Sequence, residues 1–389
     1  MLEAMQNWKK RLLDTAIQLD DLVDEQLFRL KRRLGMMETI HVQPFRTYGT
    51  PDHVYVRGRV LEDKKIREAG ENDNLFSNLL NMYRRFESDE VPGAALQLEL
   101  HADEQKAVTD KEGYFVFDFQ PALPLVTDEL YLSIPIKLIE APGPFTQNVI
   151  RAEMMIPPVD AEYGIISDID DTIIRTGATN LLAMGRTVLF SNARTRLPFA
   201  GVSAFYRSLQ LGRNGKRNNP FFYVSSSPWN LYDLLIDFMD HNEIPQGPLL
   251  LRDFGLQSES FMSGDHLGHK LKEIKRILDS YPNLNFVLVG DSGEHDPVIY
   301  LEVVKQFPGR ILSIYIRDVK AGEKKKIAEQ VALELKALGI EMILTEHSVD
   351  AAEHAAAGGL IFTETIPEIV QDKKEDKGQV PGKVEPELL

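Results

Sequence analysis

The chain has 389 residues, of which 43% are hydrophobic and 26% are charged, so it is long enough for two domains with ordinary globular cores. It contains no cysteine, which excludes disulfides, zinc–thiolate sites and thiol nucleophiles. The formal net charge of −15 argues against nonspecific binding of nucleic acid. No apolar run approaches the ~20 residues of a membrane span, and the N-terminus has no signal-peptide core. We therefore expect a soluble, cytoplasmic protein.

Residues 1–35 are predicted to form one amphipathic helix. Apolar side chains recur at helical spacing from Trp8 to Leu27, and Gly35 is placed to end the helix. We expect this helix to dock on the body of the protein or to pair with another subunit. A helix that lies on a membrane surface is the alternative.

Residues 36–158 are predicted to form a β-sandwich domain. Six short segments, often alternating, are separated by turn residues: HVQPFRTYG, HVYVRGRVL, AALQLELHA, GYFVFDF, ELYLSIPIKL and QNVIRAEMMI. A polar helical stretch is expected at about 72–88. The segment AVTDKEGYF at 107–115 resembles the turn-and-strand signature of transthyretin-like and carboxypeptidase-regulatory-like sandwiches. The sequence points to no partner for this domain.

Residues 159–366 are predicted to form a doubly wound α/β domain with a parallel sheet. Five short apolar runs are typical of buried parallel strands: YGIIS, FFYVS, FVLVG, ILSIYI and EMILT. Helical patterns lie between them, for example at 230–241, 269–280 and 322–338. In such a sheet ligands bind beyond the carboxyl ends of the strands. The tail at 367–389, rich in Lys, Glu, Pro and Gly, is predicted to be disordered.

Seven polar residues stand where the carboxyl ends of such a sheet would display them. They are Asp168, Asp170 and Thr172 after YGIIS, Ser225 after FFYV, Lys270 at the start of a helix, and Asp291 and Asp296 after FVLVG. A phosphate monoester dianion repels a carboxylate nucleophile, so a cluster of this kind needs a divalent cation to act on one. Asp168 and Asp291 offer hard oxygen ligands suited to Mg²⁺.

These residues appear in the order and at the separations of the four motifs of the haloacid dehalogenase superfamily, which this sequence resembles. The resemblance implies a haloacid dehalogenase-like fold and a phosphatase that forms an aspartyl-phosphate intermediate. Asp168 would be the nucleophile, within a first motif that Thr172 completes. Asp170 would protonate the leaving group and then deprotonate the attacking water. Ser225 and Lys270 would bind the transferring phosphoryl oxygens.

The same resemblance implies a Mg²⁺ cofactor. The metal site would comprise Asp168, Asp170 through its backbone carbonyl, Asp291 and Asp296. Asp296 would orient Lys270 or a metal-bound water.

Other interpretations of these motifs fit the sequence less well. DIDDT is also compatible with a calcium loop, but an EF-hand needs Gly at its sixth position, where this chain has Ile173. The run GDSG at 290–293 echoes a serine-protease segment, in a context that is α/β instead. His266 and His269 could form a metal pair, but a structural or phosphate-loop role is favoured.

The candidate site residues lie within five longer runs: SDIDDTIIRTG, FFYVSSSPWNLYDLL, GHKLKEIKRIL, FVLVGDSGEHDPVIY and IYIRDV. These runs resemble the catalytic domain of the actin-patch phosphatidate phosphatases and their bacterial relatives, whose chemistry is lipin-like. The similarity covers about residues 163–360. It implies Mg²⁺-dependent hydrolysis of phosphatidate to diacylglycerol. Four residues fall inside the runs without an assigned role: Arg175, Trp229, Glu294 and Arg317.

The intervals between the motifs bear on the substrate. About 50 residues separate Thr172 from Ser225, and about 44 separate Ser225 from Lys270, so neither interval can hold a large cap domain. A small or absent cap leaves an open site, which suits a phosphate ester presented on a membrane or a protein. One alternative is a phosphatase of soluble phosphomonoesters or phosphoproteins. Another is an adaptor with a vestigial phosphatase fold, against which the intact motifs argue.

Residues 172–232 form a window without Asp or Glu. It contains eight basic residues: Arg175, Arg186, Arg194, Arg196, Arg207, Arg213, Lys216 and Arg217. We predict that this window forms a basic rim around the catalytic mouth and docks transiently on anionic membrane surfaces. The apolar residues at 181–184 and 188–190 would insert among the headgroups. The alternatives are that these apolar residues pack a small cap helix and that the arginines attract any phosphate.

Overall fold

The computed structural model describes residues 37–62, 90–146, 149–170, 172–173, 201–252, 266–318 and 322–378. The predicted amphipathic helix over 1–35 and the helical stretch at 72–88 lie outside these residues. Within them, no helix is long and apolar enough to cross a membrane.

Two sheets precede residue 156 in the described part of the chain. Their strands are β1 (Ile40–Pro44), β2 (Thr47–Tyr48), β3 (Val54–Glu62), β4 (Ala95–Leu100), β5 (Asp103–Val108), β6 (Tyr114–Phe119), β7 (Tyr131–Glu140) and β8 (Val149–Met155). One sheet has the order β1-β3-β6 and the other β2-β8-β7-β4-β5. Leu96, Leu98 and Leu100 of β4 are buried in alternation, as expected for a strand with one covered face. Buried residues from both sheets form one hydrophobic cluster.

The six predicted β segments all contain strands, and the structure adds β5. The sequence of β5, DEQKAV, has no apolar alternation, and its side chains are half-buried or exposed. It forms because β4 offers a paired edge from Ala95 to Leu100. This strand therefore forms through backbone pairing with β4 and not through a buried apolar face.

Six parallel strands form the third sheet. They are β9 (Gly164–Ser167), β10 (Phe221–Pro228), β11 (Leu249–Arg252), β12 (Phe286–Asp291), β13 (Ile311–Arg317) and β14 (Met342–Thr345). The order is β11-β10-β9-β12-β13-β14. After β9 the chain adds β10 and β11 on one side, and it then crosses over to add β12, β13 and β14 on the other. This confirms the prediction of a mixed α/β region with a parallel sheet, and it adds β11 to the five strands that the sequence predicts.

Helices lie against this sheet on two sides. They are α1 (Val202–Leu211), α2 (Tyr232–His241), α3 (His266–Ser280), α4 (Asp296–Gln306), α5 (Glu323–Ala337), α6 (Ser348–Ala357) and α7 (Ile366–Gly378). Alternate strand residues enter different clusters: Ile165 packs with α1, α2, α6 and α7, while its neighbour Ile166 packs with α3, α4 and α5. Both faces of the strands are apolar for this reason.

The prediction of a disordered tail from residue 367 is wrong as far as Gly378, where α7 ends. Ile369 is fully buried in the cluster around α1, and the Asp372 carboxylate accepts a hydrogen bond from the backbone N–H of Ala204 at 3.0 Å. The charged composition of the segment gives no sign of these two contacts, the apolar packing of Ile369 and the capping of α1 by Asp372, which dock the helix.

The prediction of a basic rim is wrong for the part of the window that leads into β10. Arg213, Lys216 and Arg217 lie between the end of α1 and the start of β10, which places them at the amino-terminal edge of the parallel sheet, opposite the edge that carries the candidate site. Lys216 pairs with Asp160 there. Arg175, Arg186, Arg194, Arg196 and the apolar residues at 181–190 lie outside the described residues.

Candidate active site

The carboxyl edge of the parallel sheet gathers all seven predicted site residues. Asp168 follows β9, Ser225 lies in β10 and Asp291 ends β12, while the backbone N–H of Asp168 bonds to the Val289 carbonyl at 2.9 Å. All seven are at most 3% exposed: Asp168, Asp170, Thr172, Ser225, Lys270, Asp291 and Asp296. Ionisable groups are rarely buried to this degree unless they are paired or functional.

Lys270 stands at the centre of this group. Its Nζ lies 2.8 Å from Asp168 Oδ1, 2.8 Å from Asp296 Oδ1 and 2.7 Å from Glu294 Oε2. An ammonium group has three protons to donate, and three carboxylates surround it. Thr172 Oγ1 donates to the other oxygen of Asp168 at 3.2 Å. The position of the Asp168 side chain is therefore fixed from two sides.

Asp296 links Lys270 to Asp291. Its Oδ2 accepts from the backbone N–H of Asp291 at 3.2 Å, while its Oδ1 faces Lys270. Gly290 allows this approach, because a Cβ at that position would come within 2.5 Å of Asp296 Oδ2. Asp291 Oδ1 accepts from the N–H groups of Gly293 and Glu294, and its buried Oδ2 has no hydrogen-bond partner.

Asp170 is held by two hydroxyl groups. Ser225 Oγ donates to Asp170 Oδ2 at 2.7 Å, and Ser227 Oγ lies 3.3 Å from the same oxygen. Ser225 Oγ also accepts from the backbone N–H of Ser227 at 2.9 Å. Sequence motifs predict that Ser225 contacts a phosphoryl group, whereas its one proton here goes to Asp170.

The electrostatics of the cluster are dominated by burial. Desolvation raises the pKa of Asp291 to about 8 and that of Asp170 to about 6. It raises the pKa of Asp168 by more than attraction to Lys270 lowers it. Burial lowers the pKa of Lys270, but the combined attraction of the carboxylates, chiefly Asp168, raises it well above the usual value. One ammonium does not compensate five clustered acids, so the site favours a further positive charge.

The carboxylates fit a divalent cation. Asp168, Asp291 and Asp296 each offer an oxygen within 4.8 Å of the others, and the unpartnered Asp291 Oδ2 is a buried acceptor suited to a hard cation. Both oxygens of Asp296 are already engaged by Lys270 and by the backbone of Asp291, so its first role is to hold those two groups. Among the described residues, this is the one group of three or more potential ligands, and His269 does not belong to it.

The structure also adds two residues to the predicted set. Glu294 contacts Lys270, and Ser227 contacts Asp170. Glu294 falls within a run that resembles a known family, which was a usable signal. Ser227 could have been found from strand periodicity, because it lies two residues after Ser225 and shares its face of β10.

A buried lysine with clustered carboxylates and hydroxyls, at the carboxyl edge of a parallel sheet, is the class of site that α/β enzymes use for chemistry on anions. Comparison with known proteins shows which catalytic domain this segment is similar to. Residues 163–318, which include every predicted site residue, match the catalytic domain of phosphatidate phosphatase APP1. This segment, less than half of the chain, is therefore similar to a phosphatidate phosphatase catalytic domain.

Two curated proteins are similar to this chain. Phosphatidate phosphatase APP1 of Saccharomyces cerevisiae is 38% identical over 155 residues, which cover 40% of this chain and 25% of that protein. An uncharacterized protein of Schizosaccharomyces pombe is 32% identical over 227 residues, which cover 56% of this chain and 36% of that protein. The chain spans only about a quarter to about a third of the length of these curated relatives.

A carbohydrate acetylesterase from Xanthomonas citri aligns in structure with 82% of this chain and 75% of its own, at 8% identity and a TM-score of 0.30. A likeness this slight bears on neither fold nor activity.

Proposed function

We propose that the protein is a Mg²⁺-dependent phosphatase that hydrolyses phosphatidate to diacylglycerol and phosphate through a phosphorylated Asp168. The observation that carries this proposal is the buried contact of Lys270 with Asp168 and Asp296, inside the segment that matches the family. The substrate is taken from the name of the yeast relative, and the reaction type is what the resemblance of the motifs to the haloacid dehalogenase superfamily implies.

The first half-reaction transfers the phosphoryl group to the protein. A carboxylate oxygen of Asp168 attacks phosphorus, and the bond from phosphorus to the lipid oxygen breaks. Asp170 gives its proton to that oxygen, so that diacylglycerol leaves as a neutral alcohol. A pKa near 6 keeps a fraction of Asp170 protonated near neutrality, and its hydrogen bonds to Ser225 and Ser227 orient it.

The second half-reaction returns the protein to its starting state. Asp170, now a carboxylate, takes a proton from water while the water oxygen attacks phosphorus. The bond between phosphorus and Asp168 breaks, and inorganic phosphate leaves. Asp168 is again a carboxylate and Asp170 is again protonated.

Charge compensation comes from Lys270 and a cation. Mg²⁺, held by Asp168, Asp291 and the backbone carbonyl of Asp170, would supply the positive charge that allows a carboxylate to approach a phosphate dianion. Lys270 binds a phosphoryl oxygen by exchanging one of its carboxylate contacts. Glu294 is the partner that gives way, because its side chain is 31% exposed while those of Asp168 and Asp296 are 1% and 0% exposed.

We also propose that the parallel-sheet region has a haloacid dehalogenase-like, doubly wound fold and that the two N-terminal sheets form a β-sandwich. The reversal of strand order at β9 and the helices on both faces support the first. The hydrophobic cluster shared by the two sheets supports the second.

A panel of phosphate esters, assayed with and without Mg²⁺, tests the function. We expect dispersed phosphatidate to be hydrolysed fastest, chelation to abolish turnover, and beryllium fluoride with Mg²⁺ to inhibit by mimicking a phosphoryl group on Asp168. Faster turnover of soluble phosphosugars or phosphopeptides would replace the substrate and keep the reaction. A folded protein that hydrolyses no ester with Mg²⁺ would support the vestigial adaptor instead.

A further inference from the structure

The N-terminal β region reaches the end of β10, close to Asp170. Phe45, between β1 and β2, is 1% exposed, and its ring stacks on that of Trp229 with centroids 4.4 Å apart and planes inclined by 20°. Its centroid also lies 4.6 Å from that of Tyr232. One side chain from the β region therefore packs on both the residue that follows β10 and the first residue of α2.

A cation from the same region covers this contact. The Arg57 guanidinium of β3 lies 4.8 Å from the centroid of the Trp229 ring and 4.6 Å from that of Tyr114. At such distances the face of an aromatic ring attracts a guanidinium. Arg57 therefore ties Trp229 to β3 and β6, both of which belong to the β region.

Backbone and side-chain hydrogen bonds fix the adjoining turn. The N–H of Arg46 donates to Tyr232 Oη at 2.7 Å, and Gln43 donates to the Asp233 carboxylate. The 3₁₀ turn Trp229–Leu231 connects β10 to α2. The β region thus holds this turn at both ends, by stacking on Trp229 at its start and by hydrogen bonds to the first residues of α2 that follow it.

The turn lies next to the hydroxyls that hold Asp170. Trp229 is two residues beyond Ser227 in the sequence, and only Pro228 lies between them. Ser227 Oγ and Ser225 Oγ are 3.3 Å and 2.7 Å from Asp170 Oδ2. A shift of Trp229 moves the end of β10 and with it these hydroxyls. Misplacement by about 1 Å can cost a reaction about 100-fold.

We propose that the N-terminal β region positions the catalytic acid: Phe45 and Arg57 fix Trp229, and through Trp229 the end of β10 fixes Ser225, Ser227 and Asp170. Phe45 and Arg57 are positioning residues in a second region of the chain, and they act on proton transfer to the leaving group. The inference rests on the proposed phosphatase function.

Leaving-group dependence distinguishes this role from a merely structural one. A leaving alcohol of low pKa, such as 4-nitrophenol, needs little protonation, whereas an alkyl alcohol depends on the acid. In Phe45→Leu we expect kcat to fall about tenfold for alkyl esters and less than about twofold for aryl esters. The ratio of the two rates, taken on one preparation, is independent of the fraction of protein that is folded. The comparison uses several esters that the wild type cleaves, and the rate of each variant relative to the wild type is compared with the pKa of the leaving alcohol.

Conservative variants and a matched control complete the experiment. Arg57→Gln should reproduce the change in the rate ratio more weakly, and Arg57→Lys should restore the wild-type ratio because it keeps a cation above Trp229. Tyr48→Leu is the control: Tyr48 also joins the β region to the parallel sheet, but through Phe222 and Tyr281, at centroid distances of 5.5 Å and 6.1 Å. Its ratio should equal that of the wild type.

Two negative results are distinguishable. If the wild type cleaves no ester with Mg²⁺, the proposed function fails and takes this inference with it. If the wild type is active and Phe45→Leu lowers alkyl and aryl rates equally, or lowers neither, the positioning role is wrong while the phosphatase function stands. A change of ratio in Tyr48→Leu as large as in Phe45→Leu would also overturn it.

Discussion

At the amino-terminal edge of the parallel sheet, buried Asn219 accepts from the N–H of Glu162 at 2.9 Å and donates to the Leu209 carbonyl at 2.9 Å. Exposed Lys216 pairs with Asp160 at the same edge. At the carboxyl edge, five acids crowd around buried Lys270, and Asp291 Oδ2 is buried without a hydrogen-bond partner. Both edges are polar, but among the described residues only the carboxyl edge holds a cluster of three acids close enough to share a cation.

This difference distinguishes polar residues that stabilise the fold from polar residues that serve a function. A buried polar group that is fully hydrogen-bonded stabilises the fold, and an exposed ion pair contributes little. Buried carboxylates that repel each other lower stability, and they persist where a substrate or cation uses them. We therefore expect substitutions at the carboxyl edge to change activity and substitutions at the amino-terminal edge to change stability alone.

The largest effect is expected for Asp168→Asn. The amide has the same shape but cannot serve as the nucleophile, so kcat should fall by about 10³-fold or more while circular dichroism and melting temperature stay close to the wild type. Asp170→Asn should also be severely impaired, chiefly for esters with poor leaving groups. Near-normal turnover in a folded Asp168→Asn protein would rule out the mechanism.

Asp291→Asn should raise the stability of the metal-free protein and abolish its turnover. Burial raises the pKa of Asp291 to about 8, so at neutral pH without a metal this carboxyl must bind a proton when the chain folds, a cost that the amide does not have. In chelator the free energy of unfolding should therefore rise, by about 1–3 kcal/mol. Mg²⁺ should raise the melting temperature of the wild type and not that of the variant, and the variant should lose turnover. Equal stabilisation of both proteins by Mg²⁺ would place the cation elsewhere.

Asn219→Ala at the amino-terminal edge should do the reverse. It leaves the N–H of Glu162 without this acceptor and removes one of two donors from the Leu209 carbonyl, which still accepts from Tyr163 Oη at 3.1 Å. The cost should be about 1–3 kcal/mol in unfolding free energy. kcat per folded molecule should match the wild type, since the site lies at the other edge. Lys216→Ala, its exposed neighbour, serves as the control and should change neither quantity. Lost turnover in folded Asn219→Ala would break the distinction between the edges.

The smallest effect concerns His269, a half-buried group at the carboxyl edge that lies outside the acid cluster. Burial lowers its pKa, with a further contribution from Arg252 and Lys272, while Glu273 and a hydrogen bond to the Leu250 backbone oppose this. The ring therefore binds a proton at a lower pH in the folded protein than in the unfolded chain, where its pKa is about 6.5. Stability is therefore lost as pH falls through that value.

Urea denaturation of wild type and His269→Asn at pH 7.5 and 5.5 checks this. The wild type should lose more stability between the two pH values than the variant. An identical change in both proteins would show that the ring does not titrate differently on folding.

Much of the candidate site could be read from the sequence because its signals are local. Each strand of the parallel sheet except β11 appears as an apolar run, and Asp168, Ser225 and Asp291 stand at or near the ends of such runs. Parallel strands bring these ends to one edge. Strand direction therefore gathers Asp168, Ser225 and Asp291, whereas Lys270 and Asp296 reach the same edge from the first turns of α3 and α4.

Features that depend on distant partners could not be read in this way. β5 forms on the edge of β4, and α7 docks through Ile369 despite its charged composition. The sequence predicts that the basic window forms one surface around the candidate site, but Lys216 lies before β10, at the opposite edge of the parallel sheet from that site. In each case a local pattern is outweighed by a contact that only the folded chain supplies.

The sequence by itself determined the parallel sheet and the residues at its carboxyl edge, because strand periodicity and motif spacing are properties of short stretches of chain. Only the tertiary structure decided that Ser225 bonds to Asp170, that Glu294 completes the shell of Lys270, and that Phe45 stacks on Trp229. Those pairings join residues far apart in the sequence, and their geometry depends on how whole sheets pack.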